Sequence, residues 1–227
     1  MKNEKAIVVA RNENRKSKFA VNHCPVYVSD NMTAKMDGVP AISTNCKCNK
    51  YCLSRMKKGE AVCASCFAVD TLKQYGDCAD NVEYNTELLT SRILSAPELP
   101  IFNNRSEIVR FEAFGDLNNE TQAINYINIA KANPAKTFAL WTKNTGIIKR
   151  ACDTVGKPKN LVIIQSSLRV NEKAEPANGY IDKVFTVYSK EYATEHEIKI
   201  NCGARSCAKC RRCYNKRTAR DIAELLK

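Results

Sequence analysis

Between residues 39 and 189 the chain alternates short apolar runs with amphipathic helical segments, and this order constrains the fold more than any other feature. A strand that leads through a helix to another strand returns as a parallel neighbour, so the pattern predicts a parallel α/β sheet. Strands are expected at residues 39–44, 107–114, 136–142, 161–167 and 183–189. Helices are expected at 82–95 after Asn81, at 120–132 after Asn119, and at 145–155 with Gly156 just beyond the end. A closing helix is expected at 217–226, where Ala219, Ile222, Ala223 and Leu226 recur at helical spacing.

No Gly-rich phosphate loop follows any of these strands, which argues against a dinucleotide-binding or P-loop fold. Five or six strands with polar residues at their C-terminal ends instead suit a partial (β/α) barrel, where reactive groups come from those ends. The organisation then reads as an N-terminal extension (1–38), the partial barrel (39–198), and a C-terminal cysteine segment with its helix (199–227). Within the extension, residues 6–10 and 26–28 look like short strands of an edge hairpin.

Strand 107–114 is the most informative of the set. A period of two places Val109, Phe111 and Ala113 on one face and Ile108, Arg110, Glu112 and Phe114 on the other. The apolar set should pack on helices, turning Arg110 and Glu112 inward. Buried charges need partners, so the two should face a ligand or pair with each other, unless the strand is an exposed edge. Asp116 and Gln165, at the ends of the second and fourth strands, complete the expected pocket lining.

Twelve of the 227 residues are cysteine. That is about 5%, below the density of a disulfide scaffold. The first apolar run is too short for a signal sequence, and no stretch approaches the roughly 18 apolar residues of a membrane span. The setting expected is therefore a reducing cytoplasm with no membrane partner, where clustered cysteines read as metal ligands.

They cluster twice. Cys46, Cys48, Cys52, Cys63 and Cys66 fill the loop after the first strand, and Cys202, Cys207, Cys210 and Cys213 form a C-x4-C-x2-C-x2-C run. The tight spacing of the second group resembles bacterial iron–sulfur ligation, whereas zinc ribbons separate their knuckles further. Iron–sulfur, zinc and no metal all remain readings of that run. Cys78 could join the first group or be free. Cys152, on the apolar side of its helix, reads as a core thiol, and Cys24 as an isolated one. Two histidines leave little material for a His-based metal site, and His196 reads as a surface residue. Phe138 and Trp141 read as aromatic core.

The net charge is +12, with eight basic residues and no acid from Lys199 to Arg220. Four thiolates on zinc or on a doubly charged cubane leave about −2, which two or three cations offset. The rest form a basic surface that either meets nucleic acid or is simply solvated.

Cys63-Ala-Ser-Cys66 followed by Phe67-Ala68 resembles the end of the cysteine motif of radical S-adenosylmethionine enzymes. That motif also follows the first strand of a partial barrel. The resemblance implies a 4Fe–4S cluster on three cysteines with one iron open to S-adenosylmethionine. This chain departs from it: ten residues separate Cys52 from Cys63 where the motif has two. Phe114-Gly115-Asp116 stands where those enzymes carry Gly-Gly-Glu, making Gly115 and Asp116 the counterpart of the amino-group grip.

A closer resemblance is to the bacteriophage gene product 88 family. It is carried by Ser43-Thr44-Asn45-Cys46, Cys66-Phe67-Ala68, the stretch from Arg110 to Asp116, Phe138 to Lys143, and the C-terminal cysteines. It implies a phage origin and an iron–sulfur barrel, with one or two clusters, but no particular activity. The function expected is thus redox or radical chemistry needing an electron donor, or cluster-based electron transfer without a substrate. A zinc- or cluster-stabilised nucleic-acid-binding module is the alternative.

Overall fold

The computed structural model describes residues 2–30, 32–59 and 61–226. At its centre is a sheet of six parallel strands. These are β1 (Ala41–Ile42), β2 (Ile108–Phe111), β3 (Thr137–Thr142), β4 (Leu161–Ser166), β5 (Lys183–Tyr188) and β6 (Asp221–Leu225), and they lie side by side in chain order. Each crossover moves one place in the same direction, the winding of a (β/α) barrel. β1 and β6 remain the two edges, so the sheet is open.

The helices are α1 (Lys2–Asn14), α2 (Lys50–Met56), α3 (Phe67–Gln74), α4 (Gly76–Ser91), α5 (Glu120–Ala132), α6 (Thr145–Val155), α7 (Lys190–Glu195) and α8 (Cys207–Cys210). α4, α5 and α6 cover one face of the sheet. Ile42, Val109, Phe111, Phe138, Leu140, Leu161 and Ile163 meet Leu89, Tyr126, Ile127, Ile148 and Ala151 there. Phe111 is stacked between Tyr126 at 4.3 Å and Phe138 at 5.1 Å. Full burial of such side chains contributes about 1.5–3 kcal/mol each, which makes this face the stabilising layer. Cys152 is buried in it, as its helical position predicts, and so is Cys24.

The opposite face carries Ile108, Ala139, Trp141, Val162, Ile164 and Phe185. Among the described residues, no long helix packs here. Met36 and the segment around Cys207, Cys213 and Tyr214 lie against it instead. Among the described residues no helix is long and apolar enough to cross a membrane.

The central elements fall where the periodicity placed them, and α6 matches its expected bounds. Asn119 caps α5 by accepting from the Gln122 amide at 3.0 Å. Gly156 takes the left-handed φ of +73° that ends α6.

Four expectations are corrected. Residues 6–10 lie in helix α1, not in a strand, because the charged residues around them continue a helix. Residues 26–28 form no strand; only the next residue, Ser29, makes a single bridge, to Ala41. Asn81 does not cap a helix but lies inside α4, buried, where its side chain accepts from Arg11 and Asn12. Residues 217–226 contain strand β6 where a helix was expected, because the exposed edge of β5 supplies a ladder that outweighs local periodicity.

Candidate functional site

The open face of the sheet bounds a cavity of about 1120 Å³. Two segments far apart in sequence converge on it. Cys46, Cys52, Cys63, Cys66 and Cys78 line one side, and Cys202, Cys207, Cys210 and Cys213 the other. Nine of the twelve cysteines thus border one space, and all twelve are free thiols. Cys48 is the exception within the first group: it is exposed, beside Glu83. Among the described residues, no three His, Cys, Asp or Glu side chains are gathered closely enough to hold a metal ion as they stand. Metal binding would therefore need the loops to draw the thiols together.

The first group is held by short polar side chains. Asn45 caps the turn that carries Cys46 by accepting from the Lys47 amide at 2.9 Å. Asn49 caps α2 by accepting from Tyr51 and Cys52, and it donates to the Asp116 carbonyl at 2.8 Å. Tyr51 donates to the Lys143 carbonyl at 3.1 Å. The loop is thereby laced to the C-terminal ends of β2 and β3.

Cys46 and Cys66 share a thiol hydrogen bond, which holds Cys66 down at about 6 against the opposing effect of burial. The Ala68 and Val69 amides, in the first turn of α3, lower it further. The same hydrogen bond, together with burial, pushes Cys46 up. The hydrogen bond thus favours a thiolate on Cys66 and a thiol on Cys46. Burial raises Cys52 and Cys63, and Lys143 partly offsets it in both.

In the C-terminal group, Cys202 is pinned to β6 through the Ala223 carbonyl at 2.9 Å. Lys35 lies 3.7 Å from its sulfur and 2.5 Å from Glu224. Burial raises Cys207, and raises Cys213 to about 12, while the positive charge of Arg110 works against both. Arg110 sits 4.1 Å over the Trp141 ring, and Trp141 meets Tyr214 edge-on at 6.0 Å. Trp141 is thus half-buried cavity wall as well as packing, whereas Phe138 is core and His196 is exposed, as their sequence contexts predict. Arg110 Nε, Tyr214 Oη and Ser167 Oγ are buried and have no hydrogen-bond partner among the described residues, and all three residues line the cavity.

Arg110 and Glu112 do not pair. The left-handed φ of +58° at Glu112 breaks the strand alternation and turns its side chain toward α5. There the carboxylate accepts from Tyr126 at 2.5 Å, Gln122 at 2.6 Å, and the Thr44 hydroxyl and amide at 3.0 and 3.2 Å. Burial nevertheless lifts it to about 7. A Cβ at Gly115 would stand 2.6 Å from the Thr44 carbonyl, so only glycine fits against this network.

Asp116 accepts from the Thr142 hydroxyl at 2.5 Å and from the Leu117 and Lys143 amides at 2.7 and 2.8 Å. It ties the ends of β2 and β3 together. Gln165 does not line the cavity; it clamps the following loop through the Glu175 carbonyl and the Ala177 amide. Lys35, Met36 and Tyr214 are among the cavity residues that sequence reasoning passed over. Nothing in their local pattern marks them, since only the tertiary fold brings them to the open face.

A family model described as Gene product 88 matches residues 2–224, and the chain belongs to that family. No curated protein and no solved structure matches it.

Proposed function

We propose that this member of the gene product 88 family is a phage iron–sulfur protein whose two cysteine groups bind their clusters on opposite sides of one cavity. The observation that carries this reading is the convergence of nine cysteines, from two distant segments, on a single space.

The donor types suit such a group in chemistry, once the loops draw the thiols together. Cys46, Cys52, Cys63 and Cys66 would hold the first centre, and Cys202, Cys207, Cys210 and Cys213 a closed second one. Arg110 Nε and Tyr214 Oη are buried donors on the wall that carries Cys207 and Cys213, and thiolate or sulfide is the acceptor they lack. A cluster supplies one-electron transfer when bound, so the reading includes an external electron donor and a reducing bacterial cytoplasm. The cavity volume suits a small organic substrate. S-Adenosylmethionine is not included, because three donors of the chain itself already occupy Asp116.

Zinc in the same thiolates, with no chemistry and nucleic acid as partner, is the second reading; the charge of +12 favours it. Oxygen-free purification followed by iron, labile-sulfide and zinc analysis tests the proposal. Iron with sulfide supports it, and zinc without either overturns it.

A further inference from the structure

We infer that the outer side of the C-terminal cysteine segment carries a phosphodiester-binding pocket for nucleic acid, at the end of the sheet opposite the first cysteine loop. It takes only its partner class from the nucleic-acid reading above and holds whichever metal the thiolates carry.

A second cavity, of about 360 Å³, opens where the N-terminal ends of β2, β3 and β4 meet residues 211–217. Four cations line it: Lys159, Arg211, Lys216 and Arg217. Its single acid, Glu107, is already paired with Arg211. Lys216 reaches Asp182 only at 3.7 Å, and Asp182 is held more closely by Lys157 at 2.6 Å. Among the described residues, Lys159 and Arg217 have no acid within ion-pair range, and both are exposed. Uncompensated cations around a concave space repel one another until an anion enters.

The charge of the rest of the segment decides what kind of anion. Arg205, Lys209 and Arg220 are also exposed on this stretch, which contains no acid between Lys199 and Arg220. One isolated phosphate would leave those charges unused, whereas a polyanion with regularly spaced phosphates engages them together. The pocket floor is Ile108, Val162 and Tyr214, two aliphatic side chains and a buried tyrosine, with no exposed aromatic on which a base could stack. The contact is therefore to the backbone, with little preference for sequence.

The test is fluorescence anisotropy of the full chain with labelled single-stranded and duplex oligonucleotides across a salt series, with inorganic phosphate and mononucleotides as competitors. The pocket variant is Lys159→Glu with Arg217→Glu. Its control, Lys58→Glu with Lys190→Glu, makes the same charge change in the loop after β1 and at the start of α7. The wild type should bind oligonucleotide with a steep salt dependence. The pocket variant should weaken binding by about tenfold or more and lower the log–log salt slope by roughly 1–2, while the control stays close to wild type. Three results would overturn the inference: no oligonucleotide binding at low salt, equal losses in both variants, or binding of mononucleotide and phosphate without oligonucleotide. Metal content and melting temperature of the same preparations separate a failure of this pocket from a failure of the cysteine centres or of folding.

Discussion

The guanidinium of Arg110 lies 4.1 Å above the ring of Trp141, and its charge acts on Cys207 and Cys213 beyond. One strand residue thus couples the sheet face to the C-terminal cysteine group. Arg110→Gln should remove the stacking and the charge together. Loss of the cation–π contact costs about 1–2 kcal/mol at a desolvated site, measurable by denaturant unfolding. The metal-loaded protein should also release metal faster to a chelator, because the Cys207 and Cys213 thiolates lose a compensating cation. Arg110→Lys should recover part of the metal retention but less of the stacking.

Cys66 should be the most reactive thiol of the metal-free protein. Its anionic form is favoured first by the Cys46 hydrogen bond, which lowers Cys66 to about 6, so the thiolate should predominate at neutral pH. Alkylation followed by peptide mapping should show Cys66 modified first, with a rate that rises through about pH 6. Cys46→Ala removes the donating thiol, so the midpoint should move upward. An unchanged profile would mean that Cys46 does not set the Cys66 charge.

Glu112 makes stability depend on pH. Burial lifts its carboxyl from 4.5 to about 7, despite the donors from Tyr126, Thr44 and Gln122. The folded state therefore keeps a proton that the unfolded chain releases between those values. Stability from this group is greatest below about 4.5 and falls as pH rises toward 7, by about 3 kcal/mol at most. Glu112→Gln should flatten the slope in that window, and chemical denaturation at several pH values reads it directly.

Gly115→Ala should be among the most damaging single-methyl additions in the chain. The new Cβ would meet the Thr44 carbonyl and hydroxyl at 2.6 Å and the Glu112 carboxylate at 2.7 Å. Backbone cannot yield as a flexible side chain can, so a loss of about 2–3 kcal/mol is expected. Gly179, with nothing near its Cβ position, is the control and should tolerate alanine.

How far the sequence could carry this account depends on which interactions are local. α5 and α6 are readable because Asn119 and Gly156 announce their own ends. Val109 and Phe111 face the helices, as a period of two requires. The same period misplaces Glu112, because a left-handed residue at the strand end reverses its side chain and no neighbouring residue signals that turn. β6 is disguised as a helix because Ile222 and Ala223 satisfy both patterns, and only the waiting edge of β5 decides between them. The two cysteine groups are plain in the sequence. That they face one cavity is not, since the C-terminal segment reaches the open face of the sheet through a long-range crossing.

Both cysteine groups should bind iron and sulfide. Iron and labile sulfide should be measured per chain after oxygen-free purification, in the wild type, in Cys63→Ala with Cys66→Ala, and in Cys207→Ala with Cys210→Ala. The account predicts iron and sulfide in the wild type and a loss of roughly half from each variant, as expected of two separate clusters of one type. Zinc without iron or sulfide in the wild type would contradict it, and so would iron that survives undiminished in either variant.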